Sequence, residues 1–253
     1  MLCSRPLRTV RVIRYVTPLR EGGSLPAIVE ADDDGLYVLK FRGAGQGARA
    51  LIAELLAGEI GRAIGLPVPE IVLAEVHPDL ARTEPDPEIH ALILDSAGLN
   101  LALDYLPGSV MFDPAVDKPS ADLASRIVWF DALVSNVDRT PRNTNMLMWH
   151  RRLWLIDHGA SLYFHHSAGW RAEPARAKDP FALIKNHVLL RAATMIEEVD
   201  AELAATLTAG VVARIVGLVP ETWLEDPAAA YHDYLVDRLR QPRAFVEEAV
   251  HAR

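Results

Sequence analysis

The stretch Asn136-Val137-Asp138-Arg139-Thr140-Pro141-Arg142-Asn143-Thr144-Asn145-Met146-Leu147, followed shortly by Leu153-Trp154-Leu155-Ile156-Asp157-His158-Gly159, decides the reading of this chain. Two polar loops here flank two short apolar pieces, Asn145 to Trp149 and Arg152 to Ile156. The basic pair Arg151-Arg152 lies near the turn between them, so the spacing predicts a β-hairpin. An Asp, an Asn and a second Asp are the groups that phosphoryl transfer requires: a carboxylate near the attacking hydroxyl, and oxygen ligands that hold Mg²⁺ against nucleotide phosphates. Asp138 and Asn143 share a helix-to-strand loop and can both face one cleft, to which the hairpin returns Asp157. A metal ion would then bridge Asn143 and Asp157.

Upstream of this stretch, Leu123, Ile127, Phe130 and Val134 recur at helical spacing and predict a helix over 120–136. Downstream, 198–209 and 228–249 read as helices with mixed charged faces. The first third of the chain reads differently. Thr9 to Val16, Pro26 to Glu30 and Leu36 to Phe41 alternate as short strands around the acidic turn Asp32-Asp33-Asp34-Gly35. A helix over 48–64 follows, with Gly65 and Pro67 ending it, then an extended piece from Val68 to Val76. His77 to Glu88 is rich in proline and charge and reads as a surface connection, followed by a short helix and a strand around Leu99 to Tyr105. Leu106-Pro107-Gly108 punctuates the chain. The expected fold is α+β and two-lobed, with residues 1–105 as a small β-rich lobe and 106–253 as a larger helical lobe.

The pattern Asp-x-x-x-x-Asn, a hairpin and Asp-x-Gly resembles the catalytic and metal-binding loops of protein-kinase-like enzymes, and within that group it is most similar to HipA-like kinases. The likeness covers most of the chain, because Gly22-Gly23-Ser24-Leu25-Pro26, Tyr37-Val38-Leu39-Lys40-Phe41 and Asn136-Val137-Asp138-Arg139 occur in the expected order. The resemblance implies that Asp138 is the catalytic base, Asn143 a metal ligand and Asp157 the principal Mg²⁺ ligand. It further implies transfer of the ATP γ-phosphoryl group to a hydroxyl, with a protein Ser or Thr as acceptor and an antitoxin-like protein as a conceivable regulatory partner. Two positions depart from the pattern. Thr140 stands where HipA-like toxins have His and many protein kinases have Lys, which leaves Arg139 or Arg142 to supply positive charge. His158 stands where Asp-Phe-Gly is commoner.

On the nucleotide side, alternation along Tyr37 to Phe41 puts Val38 and Lys40 on one face of a strand. In the kinase-like reading the Lys40 ammonium contacts the α- and β-phosphates while a helix carboxylate holds it. Glu54 is the expected partner, lying near Ala50, Ala57, Gly58 and Gly61 where the helix can approach the sheet closely, whereas Glu59 sits on another face. Gly22, Gly23 and Ser24 form a turn whose amides and hydroxyl suit phosphate. The backbone of Asp104, Tyr105 and Leu106 would hydrogen-bond adenine where the lobes join. His165-His166, if extended, would point to opposite sides, which argues against a transition-metal site there. Residues 161–179 occupy the position of an activation loop.

Composition narrows the alternatives. Lys and Arg total 26 against 34 Asp and Glu, a formal charge of −8, so no broad positive surface is expected for nucleic acid. Cys3 is the only cysteine, which rules out an intramolecular disulfide and fits a reducing cytoplasm. Arg5, Arg8, Arg11 and Arg14 are spread through a strand-like segment with no apolar run of the secretory type after them. No uncharged apolar run approaches the roughly 20 residues of a membrane span. Three other functions compete: a small-molecule kinase, a non-catalytic nucleotide-binding regulatory module, and a metal-dependent hydrolase using Asp138, Asp157 and His158.

Overall fold

A computed structural model of the chain describes residues 6–19, 25–167 and 169–253. Gly22, Gly23 and Ser24 lie outside the described residues. Strands β1 (Thr9–Pro18), β2 (Ala27–Ala31) and β3 (Leu36–Lys40) precede helix α1 (Ala48–Ala63), after which come β4 (Ile71–Val76), α2 (Pro87–Asp95) and β5 (Gly98–Asp104). The strands close into a barrel in the order β1-β2-β3-β5-β4, antiparallel throughout except where β1 runs parallel to β4. Val10, Val29, Tyr37, Leu39, Phe41 and Val72 fill its interior. Lys40 and Val38 point to the other side of β3, as the alternation predicts.

Helix α1 is buried along most of its length because it lies between this barrel and the helical part of the protein. Its glycines allow that closeness: a Cβ on Gly58 would come within 2.4 Å of the Ile71 side chain. The helix stops at Gly65, whose φ of 80° suits only a residue without a side chain. The Gly65 and Leu66 amides there donate to the Arg62 and Gly61 carbonyls, satisfying two otherwise free acceptors.

The rest of the chain is helical apart from one small sheet. Strand β6 (Val110–Met111), helix α3 (Ala121–Leu133), and strands β7 (Met146–Trp149) and β8 (Arg152–Leu155) surround the loop quoted at the outset. The β7–β8 hairpin forms as expected, with Met146 opposite Leu155 and Trp149 opposite Arg152. Ser120 caps α3 by accepting from the Leu123 amide. Residues 163–192 contain a succession of short 3₁₀ turns, followed by α4 (Ile196–Thr206), α5 (Ala209–Val216), α6 (Ala228–Arg238) and α7 (Ala244–Ala252).

Of the two C-terminal helices expected from periodicity, the first forms as α4 and ends at Thr206, where Thr208 caps the separate α5. Pro242 interrupts the second, because proline has no amide to donate and disfavours helical geometry in Gln241.

The larger apolar core joins α1, the outer faces of β4 and β5, and the helices α3 to α7. It therefore crosses the boundary expected between residues 105 and 106. Arg238 of α6 is part of this region and is 2% exposed. Among the described residues it has no carboxylate partner; instead its guanidinium donates to the carbonyls of Ala132 and Leu133 at the end of α3 and of Ala177 and Asp179. A cation at a helix C-terminus is favoured by the exposed carbonyls and the dipole.

Candidate active site

Three distant segments bring their charged groups together on α1's flank. Lys40 ends β3, Glu54 is buried in α1, and Asp157 follows β8. The Lys40 ammonium lies 2.5 Å from Asp157 Oδ1 and 3.4 Å from Glu54 Oε2. Burial works to lower the Lys40 pKa, but the charges of Glu54 and Asp157 outweigh it and hold the ammonium above its ordinary value. Burial likewise works to raise Glu54. The Lys40 charge and a hydrogen bond from His158 overcome it and hold the carboxyl down at about 2.

Asp138 is held by two amides. Asn143 Nδ2 donates to Asp138 Oδ2 at 2.8 Å, and Asn145 Nδ2 donates to the same oxygen at 3.1 Å. Partial burial raises the Asp138 pKa, the negative charge of Asp157 adds to that, and the two amides oppose it. The influence of Asp157 shows that the two carboxylates share one neighbourhood. Ser135, Asn145 and Asp157 have φ between 47° and 55°, a region that costs non-glycine residues about 1 kcal/mol or more each. Strained backbone thus gathers in the loops that carry these groups.

Beneath the loop lies a buried network that fixes its course. Asp131 of α3 accepts from Arg139 Nε at 2.6 Å, from Asn136 Nδ2 at 2.8 Å and from His187 Nε2 at 2.9 Å. The His187 tautomer follows from its surroundings, because Nδ1 accepts from the Leu189 amide and leaves the proton on Nε2. Arg139 also donates to the Asn145 carbonyl. Burial would raise the Asp131 pKa, but the Arg139 charge and the His187 hydrogen bond hold it well below the usual carboxylate range.

Of the two arginines expected to supply positive charge, Arg139 is 1% exposed and turned to Asp131. Arg142 is the exposed cation of the loop. Thr140 closes the loop locally, its amide donating to the Asn143 carbonyl and its own carbonyl accepting from the Asn143 amide.

His158 is fully buried. Its Nδ1 lies 3.3 Å from Glu54 Oε1, and its ring meets Phe130 edge-on. At the end of β5, the amides of Asp104 and Tyr105 are spent on the carbonyls of Glu70 and Leu36, and the Leu106 carbonyl accepts from Ser109. The Tyr105 carbonyl and Leu106 amide take no hydrogen bond among the described residues. His165 and His166 do not diverge as extended residues would. They lie in a 3₁₀ turn with Nε2 atoms 3.2 Å apart, away from the Lys40 cluster in their contacts: Tyr231 approaches His165, and Arg49 donates to its carbonyl.

Sequence reading missed Asn145 as a second amide on Asp138, and missed the Asp131–His187 link. A signal existed for the latter, since Asp131 interrupts the otherwise apolar run from Ile127 to Val134.

The comparisons with known proteins come from family and fold. A family model described as HipA-like kinase matches residues 12–242. No curated protein sequence matches the chain. A Helicobacter pylori proinflammatory kinase, CtkA, is similar in structure, with TM-score 0.53 and 13% identity over 98% of each chain. The Golgi casein kinase with Mn and ADP bound is similar with TM-score 0.55 and 12% identity, over 98% of this chain and 74% of the other. At such identities the likeness establishes a protein-kinase-like fold.

Proposed function

The chain belongs to the HipA-like kinase family, and from that premise we propose that it transfers the γ-phosphoryl group of ATP to the hydroxyl of a protein Ser or Thr, with Mg²⁺. The supporting observation is the convergence of Lys40, Glu54 and Asp157 from three separate elements at 2.5 Å and 3.4 Å. A structural lysine at a sheet edge would face water; this one faces two carboxylates.

The donors available fit a hard divalent cation. Asp157 uses one carboxylate oxygen on Lys40, and Asn143 uses its amide nitrogen on Asp138, so each keeps an oxygen without a hydrogen bond among the described residues. The nearby imidazole of His158 has its Nδ1 turned to Glu54. Oxygen-only donors suit Mg²⁺, with phosphate and water completing its shell. When bound, the ion would neutralise charge on the phosphate oxygens.

In this reading residues 1–105 supply the nucleotide lobe and 106–253 the catalytic lobe. The Tyr105 carbonyl and Leu106 amide receive adenine, and Lys40 holds the α- and β-phosphates. Asp138, oriented by Asn143 and Asn145, accepts the proton of the attacking hydroxyl. Its raised pKa makes it a better proton acceptor than an ordinary Asp. Arg142 is the cation positioned to meet phosphate charge in place of the missing residue at 140. Gly22, Gly23 and Ser24 would close over the phosphates. No helix among the described residues is long and apolar enough to cross a membrane, and we place the protein in the cytoplasm.

The metal-dependent hydrolase is disfavoured, because no cluster of three or more His, Cys, Asp or Glu side chains suited to a metal ion occurs among the described residues. Incubation with labelled ATP and Mg²⁺ tests the proposal: labelled protein supports it, a labelled metabolite supports the small-molecule kinase, and nucleotide binding with no turnover across candidate acceptors supports a regulatory module.

A further inference from the structure

We propose that His158 is a positioning residue that aims Glu54 at Lys40, so that α1 and the loop carrying Asp157 act as one unit. This rests on the phosphotransfer reading above and goes beyond it by giving a role to the residue that departs most plainly from Asp-Phe-Gly.

Glu54 is 1% exposed and His158 is fully buried, so bulk solvent reaches neither group. Glu54 is an ionised carboxylate and can only accept, which places the proton of His158 on Nδ1, donating to Oε1 at 3.3 Å. The other carboxylate oxygen faces Lys40 at 3.4 Å. One imidazole and one ammonium therefore hold the two ends of the same carboxylate.

The next residue keeps this arrangement close to the helix. A Cβ built on Gly159 would lie 3.6 Å from Glu54 Oε2 and 3.7 Å from the Ala50 carbonyl. The segment after Asp157 thus hugs α1 and is tied to it by a hydrogen bond.

The need for such a tie follows from the position of Lys40. Its shorter contact is with Asp157 at 2.5 Å. A lysine that turns to phosphate gives up that contact, and Glu54 is then its remaining carboxylate partner among the described residues. His158 is what keeps Glu54 aimed. Phenylalanine at this position would preserve the edge contact with Phe130 but donate nothing, so packing and positioning are separable.

The test compares H158F, H158N and E54Q, alone and combined, by calorimetric binding of ADP with and without Mg²⁺, by kcat and KM for ATP, and by thermal melting. Asn keeps an amide donor near the position of Nδ1. H158F is expected to weaken nucleotide binding and raise KM for ATP about tenfold with a smaller change in kcat, the scale of one lost hydrogen bond to a charged group. H158N is expected to stay within about threefold of wild type, since the donor is restored. In the E54Q background H158F should add no further loss, because its effect runs through Glu54.

The inference is overturned if H158F binds nucleotide as wild type does, if H158N is as impaired as H158F, or if the H158F loss persists in full beside E54Q. Should H158F fail to fold, H158L and H158M, which also lack a donor, are read in its place against H158N and in the E54Q background. A wild-type protein that binds no nucleotide overturns the phosphotransfer reading itself, an outcome distinct from wild-type binding that is indifferent to residue 158.

Discussion

Asp157 Oδ1 sits 2.5 Å from Lys40 Nζ, joining residues that are 117 positions apart in the chain. The carboxylate proposed to anchor the metal and the amine proposed to hold the phosphates thus neutralise each other. In the proposed reading each is released when a ligand of the opposite sign arrives for the other, so an anion and a cation would enter together.

Asp157→Ala should therefore abolish productive Mg²⁺-ATP binding, because the main oxygen donor for the ion is gone. Thermal melting checks this. Stabilisation of the variant by Mg²⁺-ATP equal to that of wild type would remove Asp157 from the anchoring role.

Asp138→Asn should leave nucleotide binding intact and lower turnover by a factor on the order of 10² to 10⁴, the range for loss of a positioned acid or base. The substitution keeps the shape of the side chain beside Asn143 and Asn145. Turnover equal to wild type would show that another group takes the proton.

Lys40→Met should destabilise the protein by about 3 kcal/mol as well as eliminate nucleotide binding, since it leaves Glu54 buried with only His158 for company. Urea unfolding measures the first effect. Wild-type stability in K40M would mean that the ion pair seen here contributes little.

Asp131 gives a pH dependence. Its folded pKa is depressed, mainly by Arg139 once burial is overcome, so the stability it contributes is present above the ordinary Asp pKa of about 4 and is lost as pH falls below that value. Asp131→Asn should flatten the acid limb of the stability curve and cost about 3 kcal/mol at neutral pH by leaving Arg139 buried without its partner. An unchanged acid limb would count against the depressed carboxyl.

Arg142→Ala should change stability by less than about 0.5 kcal/mol, as for an exposed side chain without an ion pair among the described residues. It should reduce kcat roughly tenfold if its guanidinium meets phosphate charge. Steady-state kinetics with ATP decides this; an unaltered kcat would leave phosphate charge to Lys40 and the metal.

The hairpin, the strands of the first third and α1 were legible because each has a clear period and a clear stop, such as Gly65 after α1. Lys40 and Glu54 were legible as partners because alternation along β3 and the small residues of α1 both pointed to one flank. Arg139 was not, since nothing in Asp138-Arg139-Thr140 indicates which way a guanidinium turns. That was settled by Asp131, eight residues earlier on the buried face of a helix. The division at residue 105 was drawn from the change from strands to helices and the break at Leu106-Pro107-Gly108, and α1 packs against elements on both sides of it. His165 and His166 were read as extended, and a 3₁₀ turn brings their rings together instead.

Arg238 closes the carbonyls at the end of α3, the helix that delivers the chain into the loop of Asp138. Translation proceeds from the other end, so this lock cannot engage until about a hundred further residues have left the ribosome. A nascent chain holding every group named in the cleft would still lack the plug that steadies them. Order at the end of α3 is thereby tied to the making of α6.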